Sequence, residues 1–322
     1  MSAFLFLIVV AVGVYFVWYH TVIKGAWCKS QAKLHGKTVI VTGANTGIGK
    51  ATALDLARRG ARMILACRSK ARAEAAVFDI RRESGNNEVV YMLLDLASLK
   101  SVRSFAENFL KTEPRLDLLI NNAGIFMQGR TEDGLGMMFS VNHLGHFLLS
   151  NLLLERLEEC GPSRVVTVSS VLHRAGSIDF TRLNAHKDLG VGESYLDMLK
   201  IYSHTKLCNV FFTRELAKRL QGTSVTCYSL HPGQCEHTLY STCIYERGDQ
   251  YGAGPSQLPV NEDVARAHHD ARPPTAPLQE GIKPFSGRYF SSCAVQEVSA
   301  KARDDAVARK LWEVSETLSG LS

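Results

Sequence analysis

The sequence lacks the cysteine patterns of a metal site or of a disulfide scaffold. Its eight cysteines include no C-x-x-C pair and no accompanying histidine cluster, so a zinc site is unsupported. It also has no Asn-x-Ser/Thr acceptor of the kind that secreted proteins carry on surface loops. We therefore expect free, mostly buried thiols in a reducing compartment, among them Cys67, Cys160, Cys208 and Cys227 in predicted strands or helices.

A long basic block, an internal repeat and an interdomain linker are missing as well. The formal net charge is +6 over 322 residues and is spread along the chain, so nucleic acid is a poor partner. With 46% hydrophobic and 21% charged residues the composition is that of a globular protein with a sizeable core. Nothing between residues 37 and 233 divides the chain in two, which indicates one large domain.

Charged side chains are absent from residues 1–23. The stretch "AFLFLIVVAVGVYFVWY", Ala3 to Tyr19, continues to Ile23, and about 20 apolar residues suffice to cross a bilayer as a helix. A cleaved signal peptide is the alternative, but the leader has no basic start, and bulky side chains stand where small ones favour cleavage. We predict an N-terminal transmembrane anchor over residues 1–23 and a basic juxtamembrane linker over residues 24–36.

The lysines after this segment indicate its orientation. Lys24, Lys29, Lys33 and Lys37 follow it, and positively charged flanks remain on the cytosolic side of a membrane. We expect the body of the protein to face the cytosol, with the endoplasmic reticulum as the expected membrane. Secretion and a mitochondrial location are the alternatives.

From Lys37 onwards, short apolar strands alternate with helical stretches. The predicted strands are residues 37–43, 62–68, 87–96, 116–124, 163–170, 223–233 and 287–292. The longest helix is predicted at residues 141–159. This alternation predicts an α/β fold: a Rossmann-like, doubly wound parallel sheet with helices on both faces, in a single domain over residues 37–322.

Residues 240–280 break the pattern. They contain five prolines and few large aliphatic side chains, and they show no clear period. This composition predicts an irregular segment. A loop of this size in a compact domain is either functional or ill-ordered.

The stretch "TGANTGIG", Thr42 to Gly49, lies between the first predicted strand and the first helix. Its glycines permit a tight turn and a close approach of the backbone to a pyrophosphate, and the next helix would direct free N–H groups at that anion. The candidate cofactor-binding residues of this turn are Gly43, Asn45, Thr46, Gly47, Ile48 and Gly49.

The ends of the second and third strands bear on the choice of cofactor. The second strand is followed by Arg68 and Lys70, where an acid would bind the ribose 2′-hydroxyl of NAD. Basic residues there favour the 2′-phosphate, so we predict NADP(H) rather than NAD(H); the alternative is a pair of solvated side chains at a helix start. Asp95, followed by Leu96, ends the third strand, where its carboxylate would accept from the adenine amine.

The stretch "YSHTK" places Tyr202 and Lys206 on one face of a helix. A tyrosine hydroxyl with a pKa near ~10 is a poor acid or base at neutral pH. An ammonium beside it would stabilise the phenolate and lower this pKa, which would allow proton exchange with a substrate oxygen. Such pairs are common by chance, so the weight of this one depends on the other motifs.

Those motifs occur in a recognisable order: "TGANTGIG", "NNAG" (121–124), "VSS" (168–170), "YSHTK" and "HPG" (231–233). In this order and spacing the sequence resembles the short-chain dehydrogenases/reductases. The stretch "VNHLGHF" (141–147) resembles their retinol-dehydrogenase branch, and stretches such as "RRESGNNEV" and "EGIKPFSGRYF" resemble one group within it. The resemblance covers residues 1–239 and 279–321.

The resemblance implies the roles of the catalytic residues. Tyr202 would be the general acid/base, and Lys206 would bind the nicotinamide ribose and tune Tyr202. Ser170 would hydrogen-bond the substrate oxygen. Asn142 would anchor a water in the proton relay behind Lys206.

The resemblance also implies further cofactor contacts. Asn122, Ala123 and Gly124 would lie at the cofactor, and Asn121 with the last two would close the sheet on the adenosine side. Pro232 and Gly233 would flank the nicotinamide. Thr238 would touch its amide, although it stands about one residue later than the family pattern has it, and residues 240–280 replace the two helices that usually cover the substrate. His143, His146 and His173 have no metal spacing and are expected to pack or cap.

The activity that the resemblance implies is the NADP(H)-dependent interconversion of an apolar alcohol and its carbonyl, with retinol and retinal as the leading pair. No metal is expected, and a homo-oligomer is left open. The alternative is a weakly catalytic or inactive NADP-binding scaffold or sensor tethered to a membrane. The catalytic set favours the enzyme, whereas the atypical segment 240–280 favours the scaffold.

Overall fold

The computed structural model describes residues 8, 10–15, 30, 32–232, 283–291 and 294–321. Most of the predicted anchor and linker, and all of residues 240–280, lie outside these ranges. Residues 10–15 are helical and exposed. Among the described residues, no helix combines the length and the apolar character that crossing a membrane requires.

Strands and helices alternate along the described chain. The strands are β1 (Thr38–Thr42), β2 (Arg62–Cys67), β3 (Val89–Leu93), β4 (Leu118–Asn121), β5 (Ser163–Val168), β6 (Val225–His231), β7 (Tyr289–Ser291) and β8 (Ala294–Gln296). The α-helices are α1 (Gly47–Arg58), α2 (Lys70–Ser84), α3 (Leu99–Thr112), α4 (Met137–Phe139), α5 (Gly145–Leu152), α6 (Leu154–Glu159), α7 (Phe180–His186), α8 (Tyr195–Arg219) and α9 (Asp305–Ser319). A π-helical turn, Ser140–Leu144, joins α4 to α5, and 3₁₀ helices span Val171–Ala175, Lys283–Phe285 and Ala300–Arg303.

The strands form one sheet in the order β3-β2-β1-β4-β5-β6-β7-β8. All neighbouring pairs are parallel except β7 and β8. The chain therefore winds outwards from β1 in both directions, which confirms the predicted Rossmann-like architecture. The antiparallel strand β8 was not predicted, because three exposed residues carry no hydrophobic pattern.

Alternate side chains of each strand face opposite sides of the sheet. Ile40 and Ile64 pack with α3, α5, α8 and α9 on one side. Val41 and Leu65 pack with α1 and α2 on the other. Helices therefore cover both faces, as predicted.

The longest helix is α8, and the prediction of the longest helix at 141–159 is wrong. That segment begins in the π-helical turn and is interrupted at Leu153, between α5 and α6. Ser194 is the N-cap of the 25-residue helix α8, and its hydroxyl accepts from the backbone N–H of Asp197. This helix carries Tyr202 and Lys206.

Candidate active site

A cavity of about 280 Å³ lies at the carboxyl ends of β1, β2, β4, β5 and β6. In open parallel sheets, ligands bind at this edge, where the strand order reverses, and here it reverses between β1 and β4. The wall contains most of the predicted site residues, namely Gly43, Asn45, Thr46, Ile48, Gly49, Arg68, Asp95, Leu96, Asn122, Ala123, Gly124, Ser170, Tyr202, Lys206 and Pro232.

The remaining predicted residues lie elsewhere. Gly47 is buried at the start of α1, and Asn142 is buried in the π-helical turn. The Lys70 side chain is exposed, with its ammonium 3.9 Å from Glu74, and is not part of the wall. Gly233 and Thr238 lie outside the described residues.

Thr42 connects the glycine turn to the end of β4. Its hydroxyl accepts from the backbone N–H groups of Asn122 and Ala123, at 2.9 and 3.0 Å. The Asn122 side chain donates in return to the Thr42 carbonyl at 2.8 Å. Asn121 points away from the cavity and donates to Ser150 at 2.9 Å, in keeping with its expected structural role.

Gly49 allows these two segments to approach each other. A Cβ atom at this position would lie 2.6 Å from Asn122 Nδ2 and would also collide with the Gly43 carbonyl oxygen. The backbone of the turn and the N-terminus of α1 are therefore open towards the cavity. Such a cradle fits the pyrophosphate of a dinucleotide.

Tyr202 and Lys206 lie on the same face of α8, as predicted. Lys206 Nζ is 5.4 Å from the centroid of the Tyr202 ring and donates to the Val168 carbonyl at 3.1 Å. Gly124 closes the space above the ammonium, since a Cβ there would lie 3.3 Å from Nζ. The wall thus holds one buried acid and one buried cation side by side.

Burial sets the protonation of this pair. It raises the pKa of Tyr202 to about 12 and lowers the pKa of Lys206 to about 8. The pKa of Tyr202 is raised and not lowered as expected, because desolvation of the phenolate dominates; the ammonium lies over the ring and donates its hydrogen bond to Val168. At neutral pH the tyrosine therefore carries its proton and the lysine its charge.

Ser170 is the second residue after β5 and faces the cavity. Its hydroxyl oxygen accepts from the Leu172 N–H at 3.2 Å and so caps the 3₁₀ helix that begins at Val171. His173 Nδ1 contacts the Ser170 carbonyl oxygen at 2.7 Å. The cap and the histidine together hold the serine backbone, and the hydroxyl hydrogen remains available to a ligand oxygen.

Both polar atoms of the Asn142 side chain form hydrogen bonds, to the segment after β4 and to α8. Its Oδ1 accepts from the Ile125 N–H at 2.8 Å, and its Nδ2 donates to the Ile125 carbonyl and to the Thr205 hydroxyl, both at 3.1 Å. Oδ1 also lies beside Gly124, close to the Lys206 ammonium. The amide fixes the segment after β4 against α8.

The three histidines behave as expected. His143 and His146 are buried, and burial lowers their pKa values to about 4 and about 3. His146 Nε2 is 2.8 Å from the Thr42 hydroxyl, so this ring braces the end of β1. Within the described ranges, no cluster of three or more His, Cys, Asp or Glu side chains has metal-site geometry.

On the side of the cavity beside β2 and β3, Arg68 and Asp95 lie at the carboxyl ends of these strands. The Asp95 carboxylate accepts from the Ala97 N–H at 2.9 Å, which holds the loop after β3. Arg72, in the first turn of α2, joins Arg68 on the wall. Arg72 was not predicted, although it belongs to the same basic stretch as Arg68 and Lys70.

The wall has further residues that were not predicted, and Phe126 and His231 are two of them. Phe126 packs edge-on against Tyr202, with ring centroids 5.6 Å apart, and His231 ends β6. Burial lowers the pKa of His231 to about 4. The motif "HPG" contained His231, but only its proline and glycine were assigned a role.

Known proteins resemble both the sequence and the fold. The family model described as short chain dehydrogenase matches residues 37–188. Dehydrogenase/reductase SDR family member 13 from Bos taurus is 51% identical over 323 residues, which cover the whole chain and 83% of that protein. It belongs to the group that the shorter motifs indicated. Retinol dehydrogenase 11 from Homo sapiens is 45% identical, with 91% of this chain and 89% of that protein covered.

Solved structures share the same architecture. A crystal structure of an uncharacterized protein from Mycobacterium paratuberculosis has a TM-score of 0.70 and 32% identity, and it covers 92% of this chain and 98% of that one. A short chain dehydrogenase from Shigella flexneri complexed with NADP has a TM-score of 0.57 at 20% identity, covering 82% of this chain and 100% of that one.

Proposed function

Because the chain belongs to the retinol-dehydrogenase-like branch of the short-chain dehydrogenase/reductase family and is therefore an oxidoreductase, we propose that it interconverts an apolar alcohol and its carbonyl with NADP(H). The observation that carries this proposal is the shared cavity. One wall brings together the glycine turn, Ser170, Tyr202 and Lys206.

The residues of the cavity fit a nicotinamide dinucleotide. The cradle beside Gly49 suits the pyrophosphate, and the two arginines after β2 suit a phosphate on the adenosine ribose. Bound there, the cofactor would supply or accept the hydride. The protein's own task is orientation and proton transfer.

In the reductive direction, the Ser170 hydroxyl donates a hydrogen bond to the carbonyl oxygen of the substrate. The Tyr202 hydroxyl gives its proton to that oxygen as negative charge develops on it. The Lys206 ammonium stabilises the phenolate that is left, because an opposite charge nearby favours the ionised form. The burial of both groups keeps water away and strengthens these interactions.

This mechanism predicts a pH dependence. With the pKa of Tyr202 at about 12 and that of Lys206 at about 8, both groups are protonated below pH 8. We expect kcat/KM for NADPH, which reports the free enzyme, to be level up to about pH 8 and then to fall by roughly tenfold per pH unit as Lys206 loses its charge.

The Lys206→Arg variant is the control for this profile. An arginine stays charged throughout the range, so its residual activity should show no such fall. A wild-type profile that stays level to pH 10 would contradict the role of the Lys206 charge, and the same fall in the variant would assign the titration to another group.

The preference for NADP(H) rests on Arg68. This side chain lies on the wall at the end of β2, and the sequence has no acidic residue from Arg62 to Arg72 that could accept from a free 2′-hydroxyl. We expect Arg68→Ala to weaken NADPH binding by about tenfold or more, the worth of a charge-assisted hydrogen bond, and NADH binding by less than about threefold. Titration of each cofactor by fluorescence would measure both.

Lys70→Ala provides the comparison for Arg68. Lys70 has the same charge two residues further on, but it lies off the wall beside Glu74. Its removal should change NADPH binding by less than about threefold. Equal losses of NADPH and NADH in Arg68→Ala would refute the 2′-phosphate assignment.

The apolar substrate is proposed from the surroundings of Tyr202. Met138, Ile201 and Tyr202 form a small apolar cluster with Phe126 and Met198 at its edge. Relatives are named retinol dehydrogenases, and we propose all-trans-retinal as the first carbonyl to test. The experiment is turnover of NADPH by the purified full chain with a panel of retinals, fatty aldehydes and steroid ketones; no turnover of any of them would leave the NADP-binding scaffold as the function.

We also propose that residues 1–23 anchor the protein in the membrane of the endoplasmic reticulum with the catalytic domain in the cytosol. The uncharged segment and the lysines after it support this. Alkaline carbonate extraction and protease protection of microsomes would test it. Release of the protein by carbonate, or its protection inside the vesicles, would contradict the proposal.

A further inference from the structure

Three buried polar side chains lie behind Lys206, outside the cavity wall. Asn209 follows one turn later on α8, His143 lies in the π-helical turn, and Ser315 lies near the end of α9. Their exposed fractions are 2%, 1% and 0%. Buried polar groups cost free energy unless they are hydrogen-bonded, so we expect these three side chains to have hydrogen-bond partners.

Asn209 shares its acceptor with the catalytic lysine. Its Nδ2 donates to the Val168 carbonyl at 3.2 Å, and Lys206 Nζ donates to the same oxygen at 3.1 Å. The last residue of β4, Asn121, pairs with Thr167 of β5, so β4 ends before it reaches Val168. On that side the Val168 carbonyl accepts from two side chains of α8 instead.

His143 connects Asn209 to the C-terminal helix. Its Nε2 is 3.0 Å from the Ser315 hydroxyl. Its Nδ1 and Asn209 Oδ1 are also buried, and neither atom makes a hydrogen bond within the part of the chain that the structure describes. Burial lowers the pKa of His143, and the interaction that opposes this comes from the Asn209 side chain.

The tautomer with its hydrogen on Nδ1 would donate towards Asn209, whose side chain favours the protonated ring. Nε2 would then accept a share of the one Ser315 hydrogen, which is also donated to the Leu311 carbonyl oxygen at 2.7 Å. A chain of polar groups therefore runs from α9 through the π-helical turn and α8 to the carbonyl that holds Lys206.

We infer that Asn209 is a positioning residue for Lys206, held in place by His143 and by Ser315 of the C-terminal helix. This inference rests on the proposed role of Lys206 in catalysis. Two donors on one oxygen weaken each other, so the Asn209 amide limits how tightly the Val168 carbonyl binds the Lys206 ammonium. The C-terminal helix thereby acts on the active site through side-chain contacts, although none of its residues lines the cavity.

The test is the titration of Lys206 in the full chain, followed by the carbon-13 NMR signal of its side chain and assigned with Lys206→Arg. In wild type we expect a midpoint near the pKa of about 8. Asn209→Leu keeps the shape but removes the competing donor, so the midpoint should rise by roughly half to one pH unit, the worth of one buried hydrogen bond. The titratable groups near Lys206 are Tyr202, His146 and His231, which the variant leaves in place, and His143, which loses the Asn209 side chain as a neighbour. Burial lowers the pKa of His143 to about 4, so this ring does not titrate near pH 8.

Thr213→Val is the matched control. Thr213 is equally buried, one turn further along α8, and its hydroxyl donates to the Asn209 backbone carbonyl without touching Lys206. It should leave the Lys206 midpoint unchanged. A midpoint in Asn209→Leu equal to that of wild type would overturn the inference.

The role of α9 is tested by a second pair that does not depend on the folding of the Asn209 variant. Ser315→Thr and Ser315→Val have the same shape and differ only in the hydroxyl. The threonine variant should titrate like wild type, and the valine variant should shift in the direction of Asn209→Leu. Equal midpoints in the two would contradict the connection to α9. Because the readout is a titration and not turnover, it remains decisive if no tested carbonyl is reduced.

Discussion

Tyr202→Phe is expected to lower kcat for carbonyl reduction by roughly 10²- to 10⁴-fold, the usual contribution of a positioned acid or base. The phenol is buried and its pKa of about 12 keeps it protonated at every practical pH. Phenylalanine removes the proton donor and retains the ring that packs against Phe126. Binding of NADPH and the melting temperature should therefore change little, and the loss should fall on kcat.

Tyr195→Phe is the matched control for this change. Tyr195 lies two turns earlier on α8, also contacts Phe126, and is 58% exposed. Loss of its hydroxyl should leave kcat within about twofold of wild type. Steady-state kinetics of the three proteins with one carbonyl would measure both effects; equal rates for Tyr202→Phe and wild type would remove the tyrosine from the mechanism.

Gly49→Ala is expected to weaken NADPH binding by roughly 10- to 100-fold. The added methyl group would collide with the Gly43 carbonyl oxygen and would lie 2.6 Å from Asn122 Nδ2. Relief requires the turn and the segment after β4 to move apart, at a cost of about 1–3 kcal/mol for such overpacking. This movement opens the cradle in which the pyrophosphate is expected to bind.

Gly85→Asn separates this local effect from a general loss of stability. Gly85 caps α2 in the left-handed region, with open space around its Cβ position, and asparagine tolerates that conformation. NADPH binding, measured by calorimetry, should remain as in wild type. Wild-type affinity in a folded Gly49→Ala protein would mean that the cofactor does not approach this turn.

The parts of the site that the sequence predicts are those encoded by short local patterns. The glycine turn between β1 and α1 has its own signature, and the spacing of four places Tyr202 and Lys206 on one face of any helix. The alternation of apolar strands and helices likewise predicts that the strands of the sheet are parallel. These predictions need no knowledge of which distant segments meet.

The features that the sequence does not predict depend on tertiary contacts between segments that are distant in the chain. The pKa of Tyr202 rises because Phe126 and the rest of the wall remove water, which no local pattern encodes. Lys70 lies off the wall because α2 turns it towards Glu74. The interruption at Leu153 divides a leucine-rich stretch that the sequence pattern alone predicts to be one helix.

The central claim is that this cavity transfers a hydride between NADP(H) and a carbonyl carbon. The most direct measurement uses NADPH carrying deuterium at the nicotinamide C4, in both stereochemical forms, with the full chain and all-trans-retinal. Mass spectrometry of the product should find one deuterium on the alcohol carbon with one form only, and none with Tyr202→Phe above background. An alcohol without deuterium from either form, or labelled product at equal rates from wild type and Tyr202→Phe, would contradict the account.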